Sequence, residues 1–404
     1  MTIIHDDLLD AARAELPGVV DLRRTLHRHP ELGLELPRTQ AAVLASLEGL
    51  PLEVRTGDSL TSVVADLDGG LPGPTVLLRG DMDALPMPED TGLDFASQID
   101  NTMHACGHDA HTAMLVGAAR LLSERRDELA GRVRFMFQPG EEGSGGAALM
   151  MDEGVLDGVD GAFAIHVAPN VPAGIVGWKP GPTLASADEI EIVVTGRGGH
   201  ASTPQWANDP VPVACELVLA LQSMVTRTVD VFDPAVLTIA QVEAGTTHNV
   251  IPETARLLGT LRAVSERTRH AVWERIRRVA EGIAAAHGCT VEIDIVQGYP
   301  VTVNDPRFAS FVAGVVEEHL GPGREFQMAS PVMGAEDFSY VLQQVPGAMV
   351  FLGVCPPDNP EPFEAPACHS NRMILHEDVM ADGIALHAAV ATDFLARNGD
   401  LTPI

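Results

Sequence analysis

The segment His104-Ala105-Cys106-Gly107-His108-Asp109-Ala110-His111 constrains this chain more than any other stretch. It places three imidazoles, a thiol and a carboxylate within eight positions, and each of those groups can bind a soft or borderline metal ion. The small residues between them leave room for an ion, and Gly107 permits a tight turn. An apolar run follows at once, over residues 113–122, and reads as a buried helix. The cluster therefore falls on a loop and first helical turn anchored by a core, where a rigid ligand set can be held. A single cysteine is ordinarily a small core residue, and a single histidine a satisfied polar one. Five such groups around one glycine favour a metal. From this segment alone, thiol catalysis by Cys106 with a histidine base is the competing reading.

The neighbouring segments repeat one pattern. Residues 61–66 and 75–78 are β-rich runs separated by a Gly/Pro turn, which reads as a strand, a turn and a buried strand. The second run delivers RGDMDALP (79–86), with acids just past a strand end, where open α/β sheets gather ligands. Asp81 is balanced between a capping role and a site role, whereas Asp83 suits a carboxylate that orients a ligand. Residues 133–138 form another buried strand ending in PGEEGSGG (139–146). There, Glu141 and Glu142 suit a proton shuttle beside a metal ligand, against the plain alternative of a solvated acidic turn. Residues 161–165 form a third strand, ending at His166. Strands alternating with helical stretches predict an α/β fold with a mostly parallel mixed sheet and helices on both faces.

The periodicity predicts helices over residues 5–28 and 38–49. His27 and His29, in the last turn of the first, are expected to cap or face solvent. From residue 185 to 297 the order becomes strand, helix, strand, strand, helix, strand, that of a ferredoxin-like unit. Gly/Pro segments at 180–182 and 298–300 flank it as hinges would. The predicted organisation is a catalytic domain in two parts, residues 1–183 and 298–404, with an inserted α+β lid or dimerisation domain at 184–297. Within the insert, His200 lies in a glycine loop, Asn249 lies between two strands and Arg262 ends a strand. Each alone is ordinary loop or strand chemistry. The final part is predicted to carry a helix over 308–319, a helix opening at GAEDF (334–338), a strand over 348–352, His369 on a loop and a closing helix over 377–397.

A chain of 404 residues, 46% hydrophobic, can bury a large core and suggests two or three domains. The net charge of -30, with Lys179 the only lysine, excludes a basic nucleic-acid footprint and disfavours anionic membranes. Five cysteines, Cys106, Cys215, Cys289, Cys355 and Cys368, are odd in number and widely spaced, which is no disulfide framework. A reducing compartment fits that usage. The first ten residues lack a basic-then-apolar pattern, and no apolar run is expected to span a bilayer. The expected location is the cytoplasm.

Together, RGDMDALP, MHACGHDAH (103–111), QPGEEG (138–143), His166, the GGHAS segment at His200, NVIP (249–252), GAEDF and CHS (368–370) resemble the two-metal aminoacylase and carboxypeptidase superfamily. The nearest branch is the amidohydrolases that include hippurate hydrolase, N-acyl-amino-acid deacylases and indole-acetyl-amino-acid hydrolases. The motifs run in the family's order along nearly the whole chain. The resemblance implies hydrolysis of N-acyl-L-amino acids, with two divalent ions per subunit, Zn or Mn before Co or Ni. It implies Cys106, His108, Glu142, His166 and His369 as ligands, Cys106 bridging, with Glu141 as general base and Asp83 as supporting acid. His200 would polarise the scissile carbonyl, while Asn249 and Arg262 would hold the substrate. Partners are expected to be small N-acyl amino acids or short peptides and a second copy of the chain, pairing through the lid as a homodimer or higher oligomer. Gly80 and Gly140 stand where the family commonly has alanine, and Cys368 before His369 is a less usual residue, either a bystander or an oxidisable second thiol. A dipeptidase or carboxypeptidase of the same superfamily is the alternative. A Cys106 thiol hydrolase or a non-catalytic binding protein is the alternative of another class.

Overall fold

The computed structural model describes residues 8–359 and 361–402. It divides into two compact units. One comprises Met1–Gly181, Val303–Ser330 and Asp337–Ile404, and the other Pro182–Thr302 with Pro331–Glu336.

In chain order, the first unit begins with helices α1 (Leu8–Arg28) and α2 (Pro37–Leu47) and strands β1 (Glu53–Thr56), β2 (Val63–Asp68) and β3 (Leu71–Asp81). Helix α3 (His108–Glu124), β4 (Ala130–Gln138), α4 (Gly146–Asp152), β5 (Gly161–Ala168) and β6 (Val176–Trp178) follow. The second unit carries β7 (Asp188–Thr195), α5 (Pro210–Thr228), β8 (Ala235–Ala244), β9 (Thr254–Ala263), α6 (Glu266–Ala286) and β10 (Thr290–Gln297). The chain then returns to the first unit with α7 (Pro306–His319), β11 (Glu325–Gln327), α8 (Phe338–Leu342), β12 (Gly347–Gly353) and α9 (Met380–Ala396).

The first unit is built on an eight-stranded sheet in the order β1-β2-β4-β3-β5-β12-β6-β11. Its centre, β4-β3-β5-β12, is parallel throughout. Antiparallel pairings occur toward the edges, β1 on β2, β2 on β4 and β6 on β12. Residues 76–81 of β3 and 133–138 of β4 are buried consecutively, the pattern of strands covered on both faces. Helix α3 is buried over nearly its whole circumference, as expected of a helix inside a large protein. The carboxyl ends of β3, β4 and β5 carry the acidic and histidine motifs, so parallel pairing gathers them on one side of the sheet.

The second unit is a four-stranded antiparallel sheet, ordered β8-β9-β7-β10, with α5 and α6 packed against it. That is the strand order of a ferredoxin-like βαββαβ unit. Side chains alternate in burial along β7 and β9, so one face of this sheet holds the core and the other does not.

Several expectations are corrected. Strand β5 runs on to Ala168, so His166 lies inside the strand rather than at its end. The helix expected at GAEDF begins at the last residue of that motif, Phe338, and α8 is short, spanning five residues. Residues 5–7 of the first predicted helix lie outside the described residues. His27 neither caps nor faces solvent. It is 1% exposed, with Nδ1 2.8 Å from Asp109 and Nε2 3.2 Å from Glu89. Burial alone would lower its pKa, but the two carboxylates raise it to about 9. Among the described residues one segment, Glu377–Ala396, is long and apolar enough to span a bilayer, against expectation, but 83% of its 18-residue apolar window is buried in the fold, as in a core helix.

Candidate metal centre and active site

The ligand loop is set by Gly107. It caps α3 in the left-handed region at φ 84°, a conformation open to glycine and costly for other residues. Beyond it, His108 and His111 fall three residues apart on the first turn and share a face, with ring centroids 5.4 Å apart. The two histidines have different fates. His111 has both ring nitrogens occupied, since its Nδ1 lies 2.6 Å from Asp81 Oδ1 and its Nε2 accepts from the Val167 amide at 2.8 Å. Burial outweighs the pull of Asp81 and holds its pKa down at about 4, which keeps the ring neutral. Among the described residues, neither ring nitrogen of buried His108 has a hydrogen-bond partner. Its Nδ1 lies 3.4 Å from Asp83 Oδ1, and its Nε2 lies 3.5 Å from Asp81 and 4.0 Å from Glu142.

Four other chain segments bring their groups to this point. Cys106 Sγ lies 3.4 Å from His166 Nε2 on β5. His369 Nε2 lies 3.2 Å from Glu142 Oε1. His369 itself adopts φ 69°, uncommon for a residue with a side chain, and its amide is held by the Ala105 carbonyl at 2.8 Å. Asp83 accepts the Glu141 amide on one oxygen and the Glu142 amide on the other, both at 3.0 Å. A single carboxylate thus fixes the turn that presents two others. Cys368 donates toward the backbone carbonyls of Cys106 and Val167 at 3.8 and 3.7 Å.

The donor atoms form overlapping triads, each with its atoms within 4.8 Å of one another: Cys106 with His108 and His166, Cys106 with Glu142 and His369, and His108 with Glu141 and Glu142. Ligand bonds of 2.0–2.3 Å in a tetrahedral site put donors about 3.3–3.8 Å apart, close to the spacings found here. Cys106 belongs to two of these triads. Charge points the same way. Burial alone would lower the His108 pKa, yet Asp81, Asp83 and Glu142 raise it to about 10. Glu142 would be raised by burial, but His369 and His108 pull it below the ordinary carboxylate range. A pocket with this surplus of carboxylate and with His108 nitrogens that lack a hydrogen-bond partner among the described residues fits divalent cations.

In the second unit, His200 pairs with Val250 across two short strands, and the Ala201 amide donates to the Asn249 carbonyl at 3.1 Å. His200 and Asn249 together line a hollow of about 480 Å³. Arg262 is not with them. It lies near the far end of β9, whose first residue, Thr254, comes shortly after Asn249. Eight residues of strand at about 3.3 Å each separate it from Thr254, about 26 Å along the strand. Its side chain makes no hydrogen bond or ion pair among the described residues.

The sequence analysis did not single out Arg79, Gln138, His111 or Asp337 individually. Arg79, 1% exposed, bonds to Asp81, to Gln138 Oε1 at 2.9 Å and to Asp337 at 3.1 Å. Gln138 and the Ala147 amide donate to Asp337 at 2.7 to 2.9 Å. An arginine directly after the apolar residues Val76, Leu77 and Leu78 of a buried strand was the available signal, since a buried guanidinium requires a paired carboxylate.

This arrangement defines a hydrolase of the metallopeptidase kind. The chain belongs to peptidase family M20/M25/M40, whose model matches residues 77–393. It is 43% identical over 336 residues to the N-acetylcysteine deacetylase of Bacillus subtilis, covering 83% of this chain and 88% of that one. It is 38% identical over 384 residues to thermostable carboxypeptidase 1 of Saccharolobus solfataricus, covering 93% and 95%. Among solved structures, a Bacillus subtilis protein described as a dinuclear metal binding peptidase of the M20 family superposes with a TM-score of 0.83 at 36% identity, over 95% of this chain and 99% of that one. The protein is therefore an amide-bond hydrolase on a large mostly parallel sheet.

Proposed function

We propose that the protein cleaves N-acyl-L-amino acids with two divalent ions held by Cys106, His108, Glu142, His166 and His369. The observation that carries this reading is the convergence of those donors, with Glu141 alongside, in triads that share Cys106. The deacetylase relative names the substrate class, and the dinuclear relative supports the ion count. Such ions supply Lewis acidity toward water and the scissile carbonyl. Glu141, fixed through its amide by Asp83, takes a proton from the attacking water and returns it to the departing amine. Asp83 serves as the supporting acid, steering His108 and the glutamate turn together. Arg262, a half-buried cation without a partner among the described residues, suits a substrate carboxylate. His200 and Asn249 serve the acyl carbonyl and the substrate backbone.

The separation of Arg262 from His200 along the second unit favours a two-subunit arrangement, in which one copy supplies Arg262 and the other His200. The edge strand β8, ten residues long with Val236 and Val242 exposed, suits pairing with a second copy. The insert then acts as both lid and dimerisation domain. All five cysteines are free thiols, which fits a reducing, cytoplasmic setting. The carboxypeptidase relative keeps peptide cleavage as the second reading.

The test is to strip the protein with a chelator, restore Zn or Mn separately and follow amine release from N-acetyl and N-benzoyl amino acids beside dipeptides. Metal-restored cleavage of acyl amino acids is expected, and Glu141→Gln should bind both ions while losing about 10²–10⁴ in turnover. Preference for dipeptides would move the function to peptidase. Full activity after verified metal removal would refute the site.

A further inference from the structure

Val167 is held at both ends. Its amide donates to His111 Nε2 at 2.8 Å, and its carbonyl accepts from His166 Nδ1 at 2.7 Å. These two bonds fix two tautomers. A carbonyl only accepts, so His166 Nδ1 carries a proton and its Nε2 lone pair faces Cys106. An amide only donates, so His111 Nε2 is bare and its Nδ1 carries the proton given to Asp81 Oδ1. Asp81 in turn receives Arg79, which also holds Asp337. The chain of contacts is unbroken from Asp337 through Arg79, Asp81, His111 and Val167 to His166.

We infer that His111 and Asp81 are positioning residues for the metal centre: they lock the Val167 backbone so that His166 presents Nε2, in the ligating tautomer, toward Cys106. Neither residue needs to touch an ion to do this. Asp81 makes His111 donate from Nδ1, which leaves Nε2 free to hold the Val167 amide. From Asp337 to Val167 the members of the relay are buried, and only His166 is half-buried, so the interior part depends on its own hydrogen bonds. The inference rests on the ligand assignment made above.

A pair of substitutions separates this role from simple packing. Glutamine can place its oxygen near the His111 Nε2 position and keep an acceptor for the Val167 amide. Asparagine reaches only the Nδ1 position and keeps the Asp81 contact. The probe is Co(II), added to the chelated full-length protein. Affinity is measured by chelator competition, and the thiolate-to-cobalt absorption reports the Cys106–His166 geometry. His111→Asn should bind the ion next to His166 about 10–100-fold more weakly and show an altered spectrum. His111→Gln should stay within a few-fold of wild type with the wild-type spectrum. Asp81→Asn, which offers an N–H where Arg79 and His111 each require an acceptor, should resemble His111→Asn. Far-UV circular dichroism identifies any variant that fails to fold, and the other two then decide. Equal loss in His111→Gln and His111→Asn, or no loss in either, overturns the inference. Failure of the wild-type chain to take up two cobalt ions removes the ligand assignment and the inference with it.

Discussion

Replacing Gly107 by alanine tests whether the ligand loop is wedged against β5. Two costs should add. The left-handed φ of 84° costs a residue with a side chain about 1–2 kcal/mol. The new Cβ would also sit 2.4 Å from Val167 Cγ2, far inside contact distance, with Met373 Cε at 3.4 Å behind it. Val167 cannot retreat freely, since its amide and carbonyl are both bonded. Overpacking of this kind costs about 1–3 kcal/mol, for a total of about 2–5 kcal/mol. Gly92 supplies the control. It also has a positive φ, 72°, with nothing among the described residues within 4 Å of an added methyl, so Gly92→Ala should cost only about 1–2 kcal/mol. Urea unfolding of the metal-free proteins by far-UV circular dichroism measures both, provided the denaturant slopes match. Gly107→Ala should be the less stable variant by about 1–3 kcal/mol. If the two variants are equally stable, Gly107 is needed only for its backbone freedom and the contact with Val167 carries no weight.

Two further outcomes follow from the same groups. Asp83→Asn turns one of two acceptors into a donor facing an amide, so stability should fall by about 1–3 kcal/mol and turnover should fall with it, because the Glu141 turn loosens. Wild-type stability with wild-type turnover would show that the two amide contacts do not organise that turn. On the acid side, burial would raise the pKa of Glu89, but His27, Thr91 and Ser97 lower it from 4.5 to about 2. A depressed carboxylate contributes stability that is present above pH 4.5 and lost as pH falls through about 2. Glu89→Gln should therefore unfold with a flatter acid limb than wild type, read from urea midpoints across that window, and an unchanged limb would refute the assignment.

Much of the candidate site was legible in the sequence. Cys106, His108, Glu142, His166 and His369, the candidate ligands that the resemblance implies, are chemically unusual residues beside apolar runs, and the structure brings their donor atoms together. The βαββαβ order of the insert was legible for the same reason, since β7 and β9 alternate cleanly and α6 shows a helical stripe. Short edge strands such as β1 and β11 were not legible, because three or four mostly exposed residues carry no period. The resemblance singles out His108 over His111, but only tertiary structure gives the physical difference between them. Both stand in one motif on one helical turn, and the difference arises from Val167 and Asp81, which come from other strands. The same holds for Arg79 and Asp337, which lie 258 positions apart and meet in the buried floor. It holds too for Arg262 and His200, set at opposite ends of one unit by the length of β9. A sequence lists which groups can donate or accept. Which partner satisfies each buried nitrogen or carboxylate depends on strand order and register, and those are set by packing across the whole sheet.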